Sequence, residues 1–368
     1  MTWPIQSLRT CAISIVALII ALSCADPAEA DDLKDGQWYV SFLGLNDAHK
    51  VTTGAGVAVA LIDTGVDSVH PDLNGSVVGG ADFSSGGQVS TGDGRRDANG
   101  HGTQMAGLIV GSGKITGVAP GATIIPINDS FSSVGGSSSN LAEGIRWAVD
   151  HDVRVISISS AGPDHPLLKQ MIELALANDI VVVAGAGNVP RDTTVAFPAA
   201  YPGVIAACGV DRRGNHSSIS TTGPELVLCA PSDGISSSYP GNKYAVGSGT
   251  SESTALIAGA AALVRAKFPT LSAAEVVHRL TATASDKGAP GRDSVYGFGV
   301  LNVVDALTRD VREVPSSRTG SKATPSASTD APAGVLKPWH IALGGGVCLF
   351  ALAAAGVAAG LVVRRARR

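Results

Sequence analysis

A three-layer α/β fold, with a mainly parallel central sheet covered by helices on both faces, is what this sequence predicts, and three observations carry the expectation. Continuous apolar runs recur at Val57 to Ile62, Thr123 to Ile127, Val153 to Ile158 and Ile180 to Ala184, the pattern of strands buried on both faces. Helical patterns separate them, at His101 to Val110, Asn140 to Asp150 and Pro166 to Asn178. Strands alternating with helices argue for a parallel sheet with right-handed crossovers and functional residues at the strands' carboxyl ends. A chain of 368 residues, 45% of them hydrophobic, is long enough to bury one large core.

The chain's start reads as a signal peptide over residues 1–30. A single early cation, Arg9, precedes an apolar run from Cys11 to Ser23 and a small-residue site, Ala28-Glu29-Ala30. The run is too short for a hydrocarbon core of about 30 Å. Leu22-Ser23-Cys24 is only a faint lipoprotein box, because Ala21 stands where a larger aliphatic residue is usual. Residues 31–50 form a short polar extension, with Trp38, Tyr39 and Phe42 packing on the outside of the domain that follows.

That domain occupies residues 51–310. A glycine-rich stretch, Gly247-Ser248-Gly249-Thr250, leads into an apolar helix that runs to about Phe268 and stops before Pro269. A second helix, from Ser272 to about Thr283, opens on the capping box Ser272-Ala273-Ala274-Glu275. Residues 311–338 are rich in Pro, Ser, Thr and Ala and read as a flexible stalk. Residues 339–363 then read as a transmembrane helix, since Ile341 to Val363 holds no charged residue. The basic tail, residues 364–368, sets this end in the cytoplasm by the positive-inside rule. The topology is single-pass type I with the large domain extracellular, and Gly356 and Gly360 offer a G-x-x-x-G face for helix pairing.

The formal net charge is −4, and the only strongly basic run lies beside the apolar segment, which speaks for a membrane surface and against nucleic acid. Of five cysteines, Cys208 and Cys229 alone fall in the exported domain, each in a short apolar run; an oxidising location favours a disulfide between them.

Four short patterns carry the chemistry. Asp63 ends the first core strand in Asp63-Thr64-Gly65; His101 starts a helix in Asn99-Gly100-His101-Gly102-Thr103; Asn188 closes Ala184-Gly185-Ala186-Gly187-Asn188; Ser251 stands in the first turn of the apolar helix. A serine at a helix start is commonly a cap, but acyl transfer needs a nucleophile, a base, a carboxylate to orient the base and donors for the oxyanion. Ser251, His101, Asp63 and Asn188 supply one of each. Asp67, His70 and Asp72 lie nearby without a catalytic pattern, His70 reading as a turn or surface histidine, and His49, His151, His165, His216 and His278 have no partner motif.

In that order, the four patterns resemble the subtilisin family of serine peptidases over roughly Gln37 to Leu307. The resemblance implies a subtilisin-like fold, Ser251 as nucleophile, His101 as base and then acid, Asp63 orienting His101, and an oxyanion hole of the Asn188 amide with the Ser251 N–H. It also implies a polypeptide substrate lying as an added strand between Ser159-Ser160-Ala161 and Val134-Gly135-Gly136. Ala161 and Ala196 replace usual glycines of the primary pocket, which implies a shallow site for small P1 side chains, and Ala255 replaces a proline after the nucleophile. No cofactor is implied. Family members often bind structural calcium, but no acidic calcium loop is readable here, nor any metal-ligand cluster. The stretch before the domain is too short for a folded prodomain.

The lead-in with Gln37-Trp38, the stalk and the membrane helix together resemble mycosins, the membrane-anchored peptidases of type VII secretion systems. This implies a membrane-anchored extracellular serine endopeptidase processing exported proteins, with type VII secretion components as partners. The alternative is a structural component of a secretion complex whose catalysis is dispensable or absent.

Overall fold

The computed structural model describes residues 30–84, 92–130 and 137–312, which belong to one compact unit. The segments predicted as signal peptide (but for Ala30), stalk (but for its first two residues), membrane helix and basic tail fall outside the described residues, as do Val134, Gly135 and Gly136. Among the described residues, no helix is long and apolar enough to cross a membrane.

The sheet runs β1 (Ala58–Asp63), β2 (Ala81–Asp82), β3 (Thr123–Asn128), β4 (Val155–Ile158), β5 (Val181–Gly185), β6 (Ile205–Val210) and β7 (Leu228–Pro231). Its spatial order is β2-β3-β1-β4-β5-β6-β7, with every pairing parallel. The apolar runs conceal an alternation that burial on both faces makes invisible in the sequence. Val59 and Leu61 face one core with Met105, Leu108 and Leu256, while Ala60 and Ile62 face a second with Leu141, Ile145 and Ile172. The first core is covered by α4 (His101–Val110) and α7 (Thr250–Lys267), the second by α5 (Ser138–Val149) and α6 (Pro166–Ala177). Helix α7 is buried around almost its whole circumference, as suits a sequence hydrophobic on every side.

Two features depart from the sequence reading. The extension is not a polar strip on the surface but three short helices, α1 (Ala30–Asp35), α2 (Trp38–Phe42) and α3 (Leu45–Val51). Tyr39 and Leu45 are fully buried in the first core. The Tyr39 hydroxyl donates to the Thr116 carbonyl at 2.9 Å, Gln37 both donates to the Lys114 carbonyl and accepts from the Thr116 N–H at 2.9 Å, and the Trp38 indole donates to the Asp233 carbonyl at 3.0 Å. Tyr39 and Leu43 are four residues apart and so share a helical face, the signal that composition alone hid. The second feature is an antiparallel hairpin, β8 (Ile235–Tyr239) with β9 (Lys243–Gly247), which leads into α7.

The predicted disulfide is present, joining Cys208 of β6 to its register partner Cys229 of β7. The capping box is present too: the Ser272 hydroxyl accepts from Glu275 N–H at the start of α8 (Ala273–Ala282), and the Glu275 carboxylate accepts from Ser272 N–H at 2.7 Å. The last helix of the unit, α9 (Val303–Thr308), packs on α3 and α7.

Arg265 ties these layers together. Its side chain is almost wholly buried on α7, and its guanidinium donates to the Asp179 carboxylate at 3.1 Å, the Asp179 carbonyl at 2.5 Å and the Leu271 carbonyl at 2.6 Å. Asp179 also accepts from the Ala273 N–H, so one cation joins the turn before β5 to the α7–α8 connection. Removing it leaves the Asp179 and Leu271 carbonyls without this donor, while the Asp179 carboxylate keeps Arg154 and the Ala273 N–H. Arg265→Ala is therefore expected to destabilise the domain by about 3 kcal/mol, measured by urea unfolding; a loss within experimental error would show the contacts contribute little.

Candidate active site

Asp63 sits at the carboxyl end of β1, in the middle of the sheet, and His101 is the first residue of α4. Two glycines make their approach feasible. A Cβ on Gly102 would stand 2.0 Å from the Gly65 carbonyl oxygen, and Gly100 holds a positive φ of 104° at the helix N-cap. The His101 Nδ1–H then donates to Asp63 Oδ1 at 2.7 Å, an oxygen that also accepts from the Thr64 N–H at 2.8 Å. Asp63 is buried and its Oδ2 has no hydrogen-bond partner.

A residue not singled out in the sequence braces this pair. The carboxylate of Asp97 accepts from the Thr64 hydroxyl at 2.9 Å, the Gly100 N–H at 2.7 Å, the Thr103 N–H at 2.9 Å and the Thr103 hydroxyl at 2.7 Å. The Thr64 hydroxyl in turn accepts from the Gly102 N–H at 3.0 Å. Asp97 thus fastens the loop after β1 to the first turn of α4. Its signal was the sequence Asp97-Ala98-Asn99-Gly100, an acid followed by turn residues.

Ser251 lies in the first turn of α7, partly exposed. It is not the cap. The N-cap is Gly249, whose position has no side-chain cap hydrogen bond, and the hydroxyl of Thr250 is taken by the Gly187 N–H at 3.2 Å. Asn188 docks on the same helix start: its Oδ1 accepts from the Thr250 N–H at 2.9 Å, and its own N–H donates to Asp192 at 2.8 Å. With Oδ1 engaged, the Nδ2 donor of the amide is the end available to a ligand. Among the described residues, no hydrogen bond joins Ser251 Oγ to the His101 ring. Catalytic contacts of this kind are often loose in the free enzyme and tighten with substrate.

Ser159, Ser160 and Ala161 follow β4, and paired hydrogen bonds between Gly162 and Phe197 of 2.9 and 3.1 Å bring the stretch holding Ala196 alongside them. Ala255 is fully buried in α7, where it packs in the first core. Of the neighbouring groups, Asp72 accepts from the Lys114 and Ile115 N–H groups and Asp67 from the Gly241 N–H, so both hold loops. His70 is a turn residue but not a surface one: it is 1% exposed, with Nε2 at 3.0 Å from the Lys243 carbonyl. Among the described residues, no cluster of three His, Cys, Asp or Glu could hold a metal ion.

The second residue missed in the sequence is Glu252, next to Ser251 and 5% exposed. A Cβ on Gly247 would stand 2.1 Å from its Oε1, and one on Gly249 would stand 3.3 Å from both its Oε2 and the Asn188 Nδ2. Burial, moderated by His101, pushes its carboxyl up to about 7. Burial works against the His101 imidazolium, but Asp63, Glu252 and Asp97 outweigh it and raise the imidazole above its ordinary value.

The Subtilase family model, peptidase S8, matches residues 54–299, and the chain belongs to that family. It is 43% identical over 258 residues to subtilisin DY of Bacillus licheniformis, covering 68% of this chain and 90% of that protein. It is 37% identical over 277 residues to subtilisin Savinase of Lederbergia lenta, covering 74% and 98%. Among solved structures it is similar to MycP1 with the N-terminal propeptide removed, with a TM-score of 0.67 and 31% identity over 76% of this chain and 98% of that one. MycP3 protease from the type VII (ESX-3) secretion system gives a TM-score of 0.64 and 32% identity over 74% and 88%. The chain is a subtilisin-like serine endopeptidase whose structural neighbours are mycosin proteases.

A base must be neutral to accept a proton, so activity should rise as pH passes through the raised His101 value. Glu252→Gln removes one of the carboxylates that hold the proton on His101. The rising limb of kcat/KM is expected to move to lower pH; an unmoved limb would show that Glu252 does not act on His101.

Proposed function

We propose that this protein is a membrane-anchored extracellular endopeptidase that cleaves exported polypeptides through Ser251, His101 and Asp63. Ser251 Oγ attacks the scissile carbonyl as His101 Nε2 takes its proton; His101 then delivers the proton to the leaving amine, and water repeats the cycle on the acyl-enzyme. Asp63 holds the Nδ1–H tautomer. The Asn188 Nδ2 and the Ser251 N–H receive the oxyanion at the positive end of α7. What carries this reading is the 2.7 Å His101–Asp63 hydrogen bond, with the Asn188 amide seated on the nucleophile's helix. The apolar C-terminal segment and its arginines support the anchor, and the MycP1 and MycP3 neighbours support a role beside a type VII secretion system, acting on its exported proteins or holding its components. A second reading, a structural part of such a system with little catalysis, draws on the Ser251 hydroxyl having no hydrogen bond to His101.

A fluorophosphonate probe separates the two. The native chain is expected to be labelled and Ser251→Ala not; no labelling of folded native protein would favour the structural role. Asn188→Ala is expected to lower kcat by about 10²–10³, the loss known for the corresponding donor of subtilisin, with KM little changed. The methyl groups of Ala161 and Ala196 are expected to make Ala or Val preferred at P1 over Phe or Tyr in a peptide-library cleavage profile, and an aromatic preference would refute the shallow pocket.

A further inference from the structure

The cleft holds a second buried acid that the reaction does not use. Asp129 follows β3, where its N–H continues the sheet by donating to the Asp63 carbonyl at 3.0 Å. Asp129 is 1% exposed, and among the described residues its Oδ1 has no hydrogen-bond partner. Oδ2 receives a single long contact, 3.4 Å, from the hydroxyl of Ser160, a partly exposed residue of the cleft segment. The Asn140 amide at the start of α5 donates to the Asp129 carbonyl oxygen, not to its carboxyl. Among the described residues, no Lys or Arg forms an ion pair with it.

Burying a carboxyl with one oxygen unsatisfied costs free energy, and the single long contact to Ser160 offsets little of that cost. Burial and the nearby Asp63 push it up to about 8, with His101 acting in the opposite sense. What such a carboxyl lacks is a cation. Its one side-chain contact among the described residues, the Ser160 hydroxyl, comes from the cleft segment.

Resting on the peptidase reading, we infer that Asp129 selects substrates with a lysine or arginine side chain at P2 or P4. The position follows from alternation. Successive side chains of an extended peptide leave opposite faces, and the same holds for Ser160 and Ala161 on the segment beside it. Ala161 borders the primary pocket, so P1 lies on its face; Ser160, carrying Asp129, serves the face that receives P2 and P4. An ammonium or guanidinium there displaces the Ser160 hydroxyl and meets Oδ1 and Oδ2, the carboxyl giving up its proton to solvent as the ion pair forms.

The test is read by binding, so that it does not depend on turnover. Fluorescent octapeptides with Ala at P1, and either Lys or norleucine at P2, P3 or P4, are titrated against the full chain carrying Ser251→Ala, with cleavage by the native chain measured separately. Lys is expected to bind about tenfold more tightly than norleucine at P2 or P4 and not at P3. The ratio is expected to fall to about one when Asp129→Asn or Asp129→Ala is added. Equal affinities without those substitutions, or a preference that survives both, would overturn the inference. So would an equal loss for both peptides, which marks a residue that only supports the fold. Absence of cleavage by the native chain would count against the peptidase reading alone.

Discussion

Everything at the catalytic end of this sheet depends on how closely the first turn of α4 can approach the loop after β1. The distance of 2.7 Å between His101 and Asp63 is a consequence of backbone packing before it is a consequence of charge. Gly102 leaves the room, because any side chain there would collide with the Gly65 carbonyl. Asp97 then supplies the attraction that holds the two segments together, accepting from both sides at once. The arrangement is fixed by neutral donors on one partly buried carboxylate, so it does not rely on a solvent-exposed ion pair that salt would weaken.

The electrostatics of the site follow from the same crowding. Asp63, Asp97, Asp129 and Glu252 all act on or near a single imidazole, and burial strengthens their mutual influence. An imidazole surrounded this way holds its proton firmly, which favours the charged imidazolium. The cost is that a larger share of the free enzyme carries a charged, inactive base near neutrality. Asn188 docks on the start of α7, where the helix end carries the opposite polarity. In the proposed mechanism a proton moves toward the imidazole while negative charge builds up at the helix start.

Much of the architecture was legible because parallel strands buried on both faces leave continuous apolar runs, and β1, β3, β4 and β5 each fall within a residue or two of theirs. The helix at His101 and the capping box at Ser272 were legible for local reasons: a glycine before the first, a paired Ser and Glu at the second. Among site residues, Asp63, His101, Asn188 and Ser251 stood out through the short motifs around them. Asp97 and Glu252 did not, because their importance comes from which backbones fold around them, and a lone acid in a sequence looks like a solvated one. His70 shows the same limit in reverse, its burial arising from the β8–β9 hairpin that covers it. That hairpin was hidden because Ser236 to Ser238 are buried hydroxyl residues with no apolar alternation to announce a strand.

The extension at the start of the chain bears on how the molecule is made. Trp38 is anchored to Asp233, 195 positions later, and Tyr39 to Thr116, 77 positions later. The earliest segment of the domain to be synthesised therefore waits for Lys114 and Thr116 before Gln37 and Tyr39 find their partners, and for the second half before Trp38 finds its own. Such long-range closure slows folding, since loop entropy is lost before the contacts form. The first turns to leave the ribosome are thus among the last to reach their final contacts.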